Sequence, residues 1–275
     1  MHPIAFQVGG LSVRWYGVLI AVAFLIGLWT AARRAPRVGI AGERIFDLGL
    51  WLIVGGIAGA RLFYVVSYSD RVFENPLFPS APWTEVFMVQ RGGLVFYGGL
   101  IGASVACAVY AAVRNLPLWR LADVLAPSIA LGYVPGRVGC FLNGCCFGRV
   151  CELPWAVRYP TQSDVWRQHF EAGLTQIGAP SAPVHPTQLY DALLSLGLYI
   201  GLAALFRRRR FEGQVFATYL MGYALLRSYV ELFRGDYPPA HLHGGLTPAH
   251  LWSILIFACG AALFWTLQRA QLKRG

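Results

Sequence analysis

The sequence predicts an all-α polytopic membrane protein, with seven transmembrane helices and a small extracytoplasmic head. Three observations carry that expectation. Of the 275 residues, 56% are hydrophobic and only 13% are charged, whereas a soluble domain carries about a quarter charged residues. The apolar residues fall in long runs separated by short charged or proline-rich loops, the pattern of bilayer spans rather than of one soluble core. The basic residues, which give a formal net charge of +10, sit mostly in those short loops.

The spans are expected near 15–33, 45–67, 94–113, 120–141, 187–206, 213–233 and 249–267. Each is close to the ~20 residues that cross a bilayer. The fourth contains Pro127, Pro135 and several glycines, breaks that are tolerated where backbone lines a protein-enclosed cavity. Arg33, Arg34, Arg37 and Arg44 follow the first span, and Arg114 and Arg120 follow the third. Arg207 to Arg210 follow the fifth, and Arg269, Lys273 and Arg274 follow the seventh. With seven spans these clusters all fall on one side, which the positive-inside rule makes cytoplasmic. The N-terminus is then extracytoplasmic and the C-terminus cytoplasmic.

The longer segments, about 68–92, 142–185 and 235–248, fall on the opposite face and are rich in Pro, Trp and His. Residues 1–275 show no internal repeat, no low-complexity linker and no basic region typical of a cleavable leader, so they read as a single integral-membrane domain. The basic balance does not imply nucleic acid, because the charge is not concentrated on a soluble face. Membrane lipids, anionic ones above all, are its expected neighbours.

Arg61, Arg137 and Arg227 fall within or at the ends of apolar spans. An arginine at the centre of a span costs about 2.5–3.5 kcal/mol, so each marks either a functional site or a structural pairing. Tyr223, Arg227, Glu231 and Arg234 are spaced to share one helical stripe. Such a stripe on an apolar helix points into the bundle, and paired guanidinium donors suit a phosphate. The run Gly136–Gly148 surrounds Arg137 and Asn143 with small residues, which lets backbone approach a ligand closely.

In Arg91–Gly102, paired glycines flank Phe96 and Tyr97; the plainer reading is a close helix crossing. In His185–Asp191, Pro186 fits the first turn of a helix. Cys140, Cys145, Cys146 and Cys151 lack the paired C-x-x-C spacing of a structural zinc site. They are expected to be small, partly buried thiols with no metal, although an oxidising face leaves one disulfide open.

Taken in order, these motifs resemble the prolipoprotein diacylglyceryl transferase family across essentially the whole chain. The resemblance rests on Arg14-Trp15-Tyr16-Gly17, Gly59-Ala60-Arg61, the double glycines around Tyr97, and Asp123 with Ala126-Pro127. It continues through Gly136–Gly148, His185–Asp191 and Tyr223–Arg234. It implies an enzyme of the bacterial inner membrane that needs no cofactor and opens lipoprotein maturation. The enzyme would transfer the diacylglyceryl group of phosphatidylglycerol to the lipobox cysteine thiol of preprolipoprotein signal peptides, releasing glycerol phosphate.

By the same resemblance, Arg227, Tyr97, Asn143, Tyr223 and Tyr16 are expected to be catalytic. Arg137, Gly148, Arg61, Glu231, Arg234, His185 and Gln188 are expected to bind substrate. Many members carry histidine where this chain has Tyr97, and asparagine where it has Cys140. Phenols ionise near pH 10 and thiols near 8.5, so a tyrosine is a poor acceptor for a thiol proton. A transporter would show inverted repeats, which the sequence lacks. A metal-dependent phosphatidyl transferase would show clustered intramembrane acids, also lacking.

Overall fold

A computed structural model describes residues 4–9, 11–69, 86–88, 92–236 and 246–273. Among these residues the chain is mostly helical, with eight α-helices. They are α1 (Trp15–Arg34), α2 (Glu43–Ser67), α3 (Phe96–Val113) and α4 (Leu118–Asn143), then α5 (Asp164–Glu171), α6 (Thr187–Arg208), α7 (Gln214–Glu231) and α8 (Pro248–Leu272). A 3-10 turn, Ala35–Val38, extends α1. Strands β1 (Ile4–Val8) and β2 (Leu11–Arg14) form an antiparallel hairpin before α1.

Six helices (α1 with its 3-10 extension, α2, α3, α4, α6 and α8) are long and apolar enough to cross a membrane. α7 was expected as a seventh span, but its 18 residues include Gln214, Arg227, Glu231 and the three tyrosines 219, 223 and 229. A helix walled by protein can carry such a polar stripe, so the count of seven is approximate. Large apolar side chains such as Leu25, Leu50, Leu62, Leu193 and Ile254 point outward. That inverted surface suits hydrocarbon as solvent and makes this a multi-pass membrane protein.

Helix limits agree with the sequence expectation to within a few residues, except that α8 runs five residues past 267. Pro127 and Pro135 lie inside α4 without ending it. The hairpin and α5 were not anticipated. The strands are only five and four residues long. α5 is an eight-residue helix whose N-cap, Ser163, accepts from the Trp166 backbone at 3.1 Å. The expected segment 68–92 lies largely outside the described residues, as does 237–245 within 235–248.

The chain divides into two compact units, Met1–Ala31 with Ala122–Gly275, and Ala32–Leu121. In the second unit, α2 and α3 cross at glycines. A Cβ on Gly59 would stand 2.4 Å from the Gly98 carbonyl oxygen, and one on Gly102 would stand 2.2 Å from that of Gly55. Any side chain there would force the helices apart.

In the first unit, buried Asp123 of α4 accepts from the Gly213 and Phe216 backbone at 2.8 and 3.0 Å. It thereby serves as the N-cap that α7 lacks locally, and it fixes where α7 starts. α7 meets α8 closely: a Cβ on Gly260 would lie 3.0 Å from Leu220 and 3.0 Å from Met221. Between α4 and α6 the chain builds a small core of Phe147, Tyr159, Val165 and Val184.

Candidate active site

The site gathers at the end of α4. Gly144 adopts φ +76°, and its N–H and that of Cys145 reach back to the Cys140 carbonyl at 3.0 and 3.1 Å. This left-handed cap stops the helix. Two turns earlier, Arg137 Nη2 lies 3.0 Å from Asp191 of α6 and donates to the Tyr133 hydroxyl. Its guanidinium carbon lies 4.7 Å from the Tyr133 ring centroid. The Arg137 side chain is only 12% exposed and that of Asp191 6%. Among the described residues, the buried Nε of Arg137 has no hydrogen-bond partner.

α7 supplies the second cation. Arg227 contacts Glu231 at 2.5 Å, and fully buried Glu231 accepts from Thr247 Oγ1 at 2.6 Å. Arg234 lies beyond the helix end rather than on its stripe. It is 3.9 Å from Glu231 and holds Asp236 with a two-pronged contact at 2.9 and 2.5 Å. Asp191 also senses the charges of Arg227 and Arg234, so three guanidinium groups and three carboxylates form one electrostatic centre. Leaving any one unpaired would cost about 3–5 kcal/mol, which explains why each has an opposite charge beside it.

Aromatic rings line the same centre. Tyr223 meets Tyr133 edge-on at 6.0 Å. Tyr16 packs where a Gly139 side chain would be, 3.2 Å from its would-be Cβ, and lies in the field of Arg137. Asn143, the last residue of α4, adjoins Cys145.

Gly148 stands at a junction of three segments. Its N–H donates to the His185 carbonyl at 3.0 Å, and the N–H of Arg149 donates to that of Phe233 at 2.7 Å. A Cβ on Gly148 would lie 2.6 Å from the His185 oxygen and 2.8 Å from the Phe233 oxygen. His185 Nδ1 lies 3.2 Å from the Tyr190 hydroxyl, and burial lowers its pKa. Buried Gln188 donates to the Cys145 carbonyl at 2.6 Å and the Tyr159 hydroxyl at 3.0 Å. His185 and Gln188 therefore support the turn after α4.

Ten of the expected residues (Tyr16, Arg137, Asn143, Gly148, His185, Gln188, Tyr223, Arg227, Glu231 and Arg234) fall in the first unit, and Arg61 and Tyr97 fall in the second. Arg61 donates to the carbonyls of Val86, Gly92 and Gly93 at 2.9, 2.7 and 3.1 Å. Tyr97 is 58% exposed and lies edge-on to Phe96 at 5.9 Å. Sequence reasoning missed Asp191, Tyr133 and Thr247. The four-residue interval from Tyr133 to Arg137 on α4 was a readable signal. Asp191 stood in a motif already singled out, but its partner was not legible. All six cysteines are free thiols, and the sulfurs of Cys140, Cys145 and Cys146 lie within 4.8 Å of one another.

Residues 3–266 match the sequence family described as prolipoprotein diacylglyceryl transferase. Relatives named phosphatidylglycerol–prolipoprotein diacylglyceryl transferase share 37% identity in Synechococcus elongatus, over 96% of this chain and 86% of the relative. Identity is 33% in Allorhizobium ampelinum, covering 98% of this chain and 91% of the relative. It is 34% in Photobacterium profundum, covering 99% and 96%. With a match running nearly end to end, the chain belongs to the prolipoprotein diacylglyceryl transferase family.

Proposed function

We propose that this chain transfers the diacylglyceryl group of phosphatidylglycerol to the lipobox cysteine thiol of preprolipoproteins, releasing glycerol phosphate as the first step of lipoprotein maturation. The relatives' names specify phosphatidylglycerol and a prolipoprotein. The observation that carries the reading at the site is Arg137, buried and pinned through Nη2 by Asp191 and Tyr133 with its Nε unspent. A guanidinium fixed in this way presents its remaining edge to a phosphate without reorganising.

The reaction is an alkyl transfer. The substrate thiolate attacks the terminal glyceryl carbon, the carbon–oxygen bond to phosphate breaks, and the electron pair leaves on the phosphate oxygen. Arg137 and Arg227 face that growing negative charge in a low-dielectric site, where fixed donors act most strongly. Their positive field also favours the thiolate over the thiol. Glu231 holds Arg227 in place, and Arg234 lies near the same carboxylate. Tyr16, Asn143 and Tyr223 shape the pocket around the head group, and Gly148, His185 and Gln188 keep the turn that carries it. Within the second unit, Arg61 holds the backbone of Val86, Gly92 and Gly93. The one-sided arginine clusters support an orientation with those clusters cytoplasmic, and with the N-terminus and the expected head outside a bacterial inner membrane.

The test is to incubate the purified chain with phosphatidylglycerol vesicles and a lipobox peptide. A diacylglyceryl mass increase on the peptide cysteine, stoichiometric with released glycerol phosphate, is the expected result. No increase, with a relative of the family active on the same peptide in parallel, would refute the reading.

A further inference from the structure

The thiols at the end of α4 form a second constellation that the transfer chemistry does not use. Cys140 lies on the last turn of α4, and Cys145 and Cys146 follow the Gly144 cap. Two left-handed residues, Gly144 at φ +76° and Cys146 at φ +60°, fold the chain back on itself. The second is not a glycine, and such a conformation in a side-chain-bearing residue marks a site held in place by its surroundings. The surroundings are visible: Thr187 Oγ1 donates to the Cys146 carbonyl at 2.8 Å, and Gln188 Nε2 donates to that of Cys145 at 2.6 Å. The turn therefore presents three sulfurs within 4.8 Å of one another.

We propose that Cys140, Cys145 and Cys146 form a three-thiolate site for one thiophilic divalent cation of the zinc class. Zinc–sulfur bonds are about 2.3 Å, which sets tetrahedral sulfurs about 3.8 Å apart, so a contraction of about 1 Å at most completes the triangle. A disulfide would unite only two of the three, at about 2.05 Å.

Binding forms three sulfur–metal bonds and releases the thiol protons to solvent, with water in the fourth position. Three thiolates and a divalent ion carry one net negative charge. Arg137 and Arg234, whose fields reach Cys146, offset it. Cys145 and Cys146 also line a cavity of about 410 Å³ through which a cation can reach them. Of its bordering charges, Asp164 is paired with Arg167 and Asp236 with Arg234, and Glu171 adds a third carboxylate. The hydrogen bonds from Thr187 and Gln188 act as the outer support that metal sites require. The site shares Arg137 and Gln188 with the proposed transfer site, but metal binding is read without the transfer reaction.

The experiment uses the full chain in detergent, reduced and stripped with a chelator, then titrated with zinc or cobalt(II) alone. The expected result is one ion per chain, a thiolate-to-cobalt charge-transfer band, and protection of three thiols from alkylation as read by mass spectrometry. Cys145→Ser and Cys146→Ser should lose the band and weaken zinc binding at least tenfold. Cys107→Ser and Cys259→Ser should leave both unchanged. Alkylation protection in the unsubstituted chain keeps the test decisive if a serine variant fails to fold. Substoichiometric zinc, or a fully reduced chain whose three thiols stay equally reactive with zinc present, would overturn the proposal.

Discussion

Arg137 and Arg61 are both buried arginines on apolar helices, yet the chain satisfies them differently. Arg137 is held by a carboxylate and a phenol, with an edge of the guanidinium unspent. Arg61 has among its partners the carbonyls of Val86, Gly92 and Gly93 and the ring of Tyr64. Carbonyls solvate a guanidinium through hydrogen bonds that fix a loop and leave its charge in place. A carboxylate offsets the charge of Arg137 and fixes its orientation, and it leaves the Nε donor unspent. The difference teaches that intramembrane position alone does not say how an arginine is held; the partners do.

The largest effect should come from deleting the charged side of that comparison. Arg137→Ala and Arg227→Ala should each lower turnover of a lipobox peptide by about 10²-fold or more, the scale of losing a preorganised donor to a developing charge. Each change also leaves a buried carboxylate short of a partner, so turnover is read at matched levels of folded protein. Residual turnover within a few-fold of the unsubstituted chain would merge the two arginine classes.

A smaller effect tests the support beneath the site. Gly148→Ala forces a methyl between the His185 and Phe233 carbonyls and should cost about 1–3 kcal/mol of stability, the usual range for overpacking. Thermal unfolding in detergent checks it, and an unchanged transition would mean that the junction yields. Smaller still is a pH response. Burial lowers the pKa of His169 and His185 in the folded chain below the unfolded value of about 6.5. The folded chain therefore binds fewer protons, so their contribution is complete above about pH 6.5 and declines as pH falls toward the lowered folded values. Unfolding scans between neutral and mildly acidic pH should show that fall, and His185→Asn should reduce it. The smallest effect is expected at Tyr97, whose ring is exposed beside Phe96. Tyr97→Phe should leave turnover near normal, and collapse would assign the hydroxyl to proton handling.

The helices were legible because apolar length is written locally, and so was the spacing that set Arg227 beside Glu231. The partners of Arg137 were less so. Asp191 lies 54 positions away, and nothing in local periodicity joins α4 to α6. The polar character of α7 was read as a stripe, but its cost in apolarity was not weighed, which explains the approximate span count. Cys140, Cys145, Cys146 and Cys151 are partly buried and free, as expected. The closeness of three of them was not legible, because a left-handed cap brings Cys140 back to Cys145 and Cys146 and sequence intervals do not record that fold-back.

The most direct test of the account is one paired measurement, peptide turnover by Arg137→Lys and Arg61→Lys at matched protein levels. Lysine keeps the charge but loses the planar fork. The account predicts that Arg137→Lys stays severely impaired, about tenfold or more below the unsubstituted chain, for want of the second phosphate contact. It predicts that Arg61→Lys, whose ammonium can still donate to carbonyls, retains most of its turnover. Near-normal turnover in Arg137→Lys, or an equal loss in both, would contradict it.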